Sequence, residues 1–258
     1  MRAFFAGFTY AVGLVLVVSL VGFTLSVPPR VLFEELLSEE VLLALKLSLW
    51  TSLLATAVVF PAAVLVGYSL ARFELPLKRV LKTVVDLPMA FPELLLGLVL
   101  LVLFSDLLDP LLGNFSPVFS PAGVVLAEAA VAFPFAARVS YAAFLQVDPR
   151  YEAVARTLGY GPFETFLKVS LPLARGGLLA ALVLAFARAF GAFGAVLVFA
   201  GAVYKKTETL PIGMYLNLSY GNLERAVAMG ALLMAVSFLA VFALESFQKD
   251  GVARFGGN

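Results

Sequence analysis

The chain contains no cysteine and no histidine. Disulfides, thiol nucleophiles, His/Cys zinc sites, haem ligation and imidazole acid–base catalysis are thereby excluded. Charge is also scarce: Asp, Glu, Lys and Arg make up 14% of 258 residues, against about a quarter in soluble domains. Net charge is +1, so the chain carries no overall bias toward nucleic acid. No GxxxxGK[ST] loop is present to cradle a nucleotide, and no GxSxG elbow to present a nucleophile.

What replaces these groups is apolar. Hydrophobic residues form 62% of the chain, Phe alone numbers 24, and mean hydropathy is +1.01. About 20 apolar residues cross a bilayer core. Runs near 4–26, 41–71, 87–107, 121–145, 177–201 and 226–247 predict six helical spans in one all-α membrane domain over 1–258. The first run is too long for a signal-peptide core and has no small-x-small cleavage site before Pro28-Pro29, so it reads as a retained helix. The second exceeds one bilayer crossing, which calls for tilt, an extension beyond lipid, or a bend at Pro61.

Basic residues orient the spans. With the N-terminus inside, Arg2, Arg72, Lys78, Arg79, Lys82, Arg150, Arg156, Lys168, Arg175, Lys249 and Arg254 share one side. Arg30, Lys205, Lys206 and Arg225 share the other. The imbalance places both termini in the cytoplasm. Glu34, Glu35, Glu39, Glu40, Asp106 and Asp109 then fall outside, with Lys205 and Lys206 an awkward pair among them.

Residues 146–176 are too long for a connector and too polar to cross. Asp148-Pro149 supplies an N-cap and a proline at the first helical position, and Gly159 can take the left-handed conformation that ends a helix, so a helix is expected from Pro149 to Leu158. Tyr151, Val154, Ala155 and Leu158 form an apolar stripe along it, with Glu152 and Arg156 an i, i+4 pair. A second helix starts at Gly161-Pro162, holds Glu164 in its first turn and closes at Leu171-Pro172. A lipid-lying pair of helices would crowd bases on its polar face. Glu152 and Glu164 mixed among the bases point instead to docking on a protein.

Gly159, nine residues, then Val169-Ser170-Leu171-Pro172 resembles the cytoplasmic loop of ATP-binding-cassette importer permeases, EAA-x3-G-x9-I-x-L-P. Val169 replaces Ile, and the EAA positions hold Ala153, Val154 and Ala155, with Glu152 one residue early. DLPMAFPELLLG (86–97), AFARAFGAFGAVLVFAG (185–201) and TETLPIGMYLNL (207–218) are similar to the molybdate, tungstate and sulfate permeases, although Ala192 and Glu93 depart from that pattern. The resemblance implies a type I, MetI-like fold in the inner membrane and coupling to an ATPase through Glu152, Ala155, Arg156, Gly159, Phe163, Leu171 and Pro172. It implies two ATPase subunits that hold ATP and Mg in the chain's stead, and an extracytoplasmic oxyanion-binding protein. The cargo would be molybdate or tungstate; sulfate, thiosulfate and phosphate stay open, as does an ion-coupled secondary transporter. Six helices leave little room for a central path, so a homodimer is expected.

Four charges fall within spans: Glu93, Glu128, Arg138 and Arg188. Each costs roughly 2.5–3.5 kcal/mol at mid-depth and should face the bundle interior and pair. Glu93 is expected to pair with Arg138 or Arg188; snorkelling of Arg138 to the headgroups is the other reading. The translocation path is assigned Pro92, Glu93, Arg138, Arg188, Gly191, Phe193 and Gly194. Arg188 is its cation, the glycines permit close helix approach, and Phe193 is either a gate or a lipid-facing ring.

Overall fold

The computed structural model describes residues 1–108 and 116–255, so Asp109 lies outside the described residues. Its helices are α1 (Arg2–Leu25), α2 (Pro29–Leu36), α3 (Glu39–Arg72), α4 (Lys78–Asp86), α5 (Glu93–Val102), α6 (Pro121–Leu145), α7 (Pro149–Thr157), α8 (Pro162–Leu173), α9 (Arg175–Phe190), α10 (Gly194–Phe199), α11 (Leu210–Ser219) and α12 (Leu223–Phe255). Four of these are long and apolar enough to span by themselves: α1, α3, α6 and α12. The expected third and fifth spans are broken.

A 3-10 turn, Leu87–Met89, follows α4, and the helix resumes at Glu93 bent by 110°. Pro88 and Pro92 remove two backbone donors within this stretch, and Pro92 serves as the N-cap of α5. The fifth span begins at Arg175 rather than 177, stops at Phe190, crosses Gly191–Phe193 without helix and restarts at Gly194. α8 does not close at Leu171-Pro172 as expected. It passes through a π-helical turn at Phe166–Ser170, ends at Leu173 and meets α9 at 80°.

α3, α6 and α9 form the spine. Their contact is built from Ala55, Ala63, Ala132, Ala136, Ala137, Ala185 and Ala189, all buried. Lipid tails give helices no hydrophobic reason to associate, so small side chains that let backbones approach are what holds such an interface. At Gly67 a Cβ would stand 2.7 Å from both Ser140 Cβ and the Tyr141 backbone nitrogen. A second layer, α5 and α10 packed on the first half of α6, is centred on Val124, Val131, Val196 and Phe199. α3 runs 34 residues without interruption at Pro61, about 51 Å at 1.5 Å per residue. It outreaches a hydrocarbon core of about 30 Å. α1 is exposed along most of its length and meets α12 near its C-terminal end, where Phe23 packs on Gly230.

The two ends of the bundle are distinct. One carries the 146–176 loop and will be called the loop end. At the opposite, far end Lys205 Nζ lies 2.8 Å from Glu39, Tyr204 donates to Glu40 at 3.2 Å, and Arg225 reaches Glu35 at 2.7 Å and also Glu40. The awkward lysine therefore has an acidic partner on its own side. The Lys205 ammonium is held above its ordinary value chiefly by its hydrogen bond to Glu39.

Gly67→Val should cost about 1–3 kcal/mol by overpacking against backbone that cannot retreat, whereas Gly7→Val, with nothing within 4 Å of its Cβ position, meets no such obstacle. Thermal unfolding of the purified protein in one detergent compares the two; equal melting temperatures would contradict the packing described.

Candidate functional site

The loop is built as expected at its first helix. Asp148 Oδ1 accepts from the Arg150 N–H at 2.9 Å, α7 runs from Pro149 to Thr157, and Gly159 takes φ +92°. A Cβ at Gly159 would meet nothing within 4 Å, so glycine is required there for its backbone conformation and not for space. Glu164 Oε2 accepts from the Gly161 N–H and Oε1 from Lys168 at 2.9 Å. That pair and the Gly161 amide hold the Glu164 carboxyl below its usual value.

The faces of α7 are the reverse of the amphipathic expectation. Tyr151, Val154 and Leu158 of the apolar stripe point outward, Leu158 being 73% exposed, and only Ala155 is buried. Glu152 is the residue turned inward, at 3% exposure. Its Oε1 accepts from Arg72 Nε at 2.6 Å and from Ser170 Oγ at 2.8 Å, while Tyr68 Oη reaches Oε2 at 3.5 Å. Arg156, the expected i, i+4 partner, stands farther off at 3.8 Å and is exposed. Arg72 Nη2 also donates to the Val147 carbonyl at 2.7 Å. An aromatic cluster of Tyr68, Phe144 and Phe166, with centroids 4.7–6.2 Å apart, seals this network. The apolar stripe is free because a buried charge must be paired, and Arg72, the buried and closer of the two arginines near Glu152, is on the bundle side.

Phe163 is 70% exposed, and Tyr160 and Leu167 are exposed beside it, so Tyr151, Val154, Leu158 and Phe163 give the loop an outward apolar surface. Leu171 is half-buried and Pro172 exposed. Arg72, Tyr68 and Ser170 were not legible as site residues. Arg72 counts in the sequence as one more base near a span end, and nothing local ties it to a residue 80 positions on.

In the bundle, Glu93 pairs with Arg188 at 3.0 Å, not with Arg138. Its second oxygen accepts from the backbone N–H groups of Phe193 and Gly194, at 3.0 and 3.1 Å. One carboxylate thus joins the start of α5, the end of α9 and the break before α10. It satisfies backbone donors that a broken helix would leave bare in lipid. Gly194 makes this possible, since a Cβ there would be 2.9 Å from Glu93 Cβ. Arg188 also lies over the Phe135 ring, 4.4 Å from its centroid. Arg138 goes instead to Asp86, at 3.6 Å, because α4 runs beside α6 where Lys82 covers the Tyr141 ring. Phe193 is half-buried against Tyr215, 5.3 Å between centroids, so it is not a ring simply facing lipid. Pro92 and Gly191 are exposed. Glu128, expected near the outer part of its span, is buried and accepts from Thr51 at 3.0 Å. Among the described residues no cluster of three or more Asp or Glu that could hold a metal is found.

A family model described as a binding-protein-dependent transport system inner membrane component matches residues 60–250. The chain belongs to that family, the permease subunits of ABC importers. This permease is 31% identical over 210 residues to the molybdate/tungstate transport system permease protein WtpB of Methanocaldococcus jannaschii, covering 81% of this chain and 83% of the relative. It is 33% identical over 218 residues to the molybdenum transport system permease protein ModB of Azotobacter vinelandii, covering 83% and 96%. It is 30% identical over 228 residues to the sulfate transport system permease protein CysT of Escherichia coli, covering 87% and 81%. A bacterial ABC transporter for import of alginate superposes at TM-score 0.73, 14% identity and 96% of each chain. The MetNI methionine transporter superposes at TM-score 0.62, 20% identity, 83% of this permease and 95% of that chain. These two show the fold.

Glu93→Ala leaves the permease with a guanidinium and two amides unpaired and should destabilise it by about 1–3 kcal/mol, while Glu93→Gln keeps one acceptor and should lose less. Melting temperatures of the two variants in detergent give the order; an Ala variant as stable as the parent would refute the role assigned to this carboxylate.

Proposed function

We propose that this permease subunit carries a tetrahedral oxyanion, molybdate or tungstate in the first place, under the drive of two cytoplasmic ATPase subunits docked on its 146–176 loop. The observation that carries the reading is the outward apolar surface of Tyr151, Val154, Leu158 and Phe163 on a loop whose other face is fixed to the bundle by Arg72 and Glu152. An exposed apolar patch in water marks a partner site, and membership of the ABC-importer permease family supports an ATPase subunit as that partner. The loop end is then cytoplasmic, both termini lie on that side, and the far end receives an oxyanion-binding protein. ATP and Mg stay with the partner subunits.

A second copy completes the conduit. α1 is apolar and largely exposed, packing on α12 only near its C-terminal end, and the Glu93–Arg188 pair is half-exposed in one bundle, so that a two-fold partner would close a path around it. In that path Arg188 offers the positive charge an anion needs, and Glu93 keeps it partly neutralised so that the anion is not held. The names of the two molybdenum-type relatives support this cargo. The sulfate permease of Escherichia coli, at comparable identity and coverage, supports sulfate as the second reading.

Reconstitution with the cognate ATPase and binding protein in nanodiscs tests the assignment. ATP hydrolysis stimulated by molybdate or tungstate, and not by sulfate, is expected; stimulation by sulfate alone would move the cargo to the second reading, and failure of the ATPase to associate would reject the function. In the same assay Gly159→Val should leave the complex assembled but separate hydrolysis from transport, because the left-handed conformation costs a side chain about 1–2 kcal/mol in a place with room to spare. Full transport by that variant would count against the loop as the coupling element.

A further inference from the structure

The loop is attached to the bundle twice. Along the chain it passes through Leu173 and Arg175 into α9, which stops at Phe190 and is interrupted at Gly191–Phe193 before the far end. A helix broken by non-helical residues absorbs displacement as rotation of its dihedrals. The second attachment is not covalent. The Arg72 guanidinium holds Glu152 of α7 at 2.6 Å and the Val147 carbonyl at the end of α6 at 2.7 Å, and Glu152 in turn holds Ser170 of α8. Both charged side chains are almost fully withdrawn from solvent, 7% and 4% exposed. A two-armed guanidinium in such surroundings fixes direction as well as distance.

Arg72 is the last residue of α3, the longest span without a break. The first two residues of that same helix make the far-end contacts: Glu39 pairs with Lys205, Glu40 pairs with Arg225 and accepts from Tyr204, and Arg225 also holds Glu35 of α2. Charged clusters thus grip α3 at both ends, one on the loop and one on the 200–209 segment and the start of α12. Long helices bend only gently unless a kink intervenes, so displacement of one end reaches the other.

We propose that Arg72 is the positioning residue that makes α3 the lever of this permease, carrying movement of the loop directly to the far-end ion cluster, while the broken α9 yields. The proposal rests on the reading of the loop as the place where the ATPase acts. It assigns Glu152 to the inner linkage and leaves ATPase contact to the apolar surface.

The absence of native cysteine allows two nitroxide pairs to be read by pulsed electron resonance in the reconstituted complex. One pair, Leu42→Cys with Leu107→Cys, reports the far end; the other, Leu173→Cys with Leu77→Cys, reports the loop end, and all four side chains are exposed. Trapping with ATP and vanadate should shift both distances in the parent. With Arg72→Ala the loop-end shift should persist, the far-end shift should vanish, and anions moved per ATP should drop. Arg72→Lys, which keeps the charge but cannot hold Glu152 and Val147 together, should give a reduced far-end shift and serves if the alanine variant does not assemble. A far-end shift of parental size in the assembled variants overturns the proposal. No shift at either pair in the parent would instead reject ATPase drive through the loop, and the lever with it.

Discussion

In hydrocarbon an unpaired charge or a bare amide costs more than most packing contacts return, and this constraint decides where the permease can be irregular. The fifth span breaks at Gly191–Phe193, and the carboxylate of Glu93 meets the exposed amides there at 3.0 and 3.1 Å while neutralising Arg188. Arg72, at the loop-end limit of α3, finds Glu152 on the loop. Each pair ties together elements far apart in sequence, so the requirement to satisfy a charge also fixes the arrangement of helices. Alanine and glycine contacts along α3, α6 and α9 then let the spans close around these points.

That arrangement separates two roles within one chain. Within the alanine-rich spine α3 and α6 run unbroken from end to end, whereas α9 stops at Phe190 and the layer containing α4, α5 and α10 is segmented and partly open. In the proposed role, an anion conduit would need polar groups at depth and freedom to change shape, both offered where the segmented elements bring Glu93 to Arg188. A subunit driven from outside would need an element that does not deform, offered by α3 and α6. The loop joins the two: its covalent continuation enters α9 of the broken fifth span, and its ion pair enters the unbroken α3.

Much of this was legible in the residues. Apolar runs of bilayer length mark the four long helices α1, α3, α6 and α12 with their rough limits, and Asp148-Pro149 with Gly159 defines the first loop helix because capping chemistry is local. The pairing of Glu93 was narrowed to two arginines by the cost of a lone charge, and depth alone could not choose between them, since Asp86 takes Arg138 through the lateral placement of α4. The breaks at 87–92 and 191–193 were not legible, because a proline or glycine in an apolar run marks a kink and a full interruption alike. The direction of the α7 stripe was misread for a related reason. Periodicity identifies a face, but Glu152 and its distant partner Arg72 decide which way that face turns. The helices α2, α4 and α11 went unread as elements, although Leu77 at the N-cap of α4 and Val80, Leu81 and Val84 within it carry helical spacing in the sequence.

The account describes a conduit without a motor, moved by another protein through one protruding loop. Its most direct test is vectorial uptake of labelled molybdate and tungstate into liposomes holding the permease alone, or the permease with its ATPase and binding protein. Uptake is predicted only for the full assembly with ATP at the loop-end face; accumulation by the permease alone, driven by an ion gradient, would contradict it.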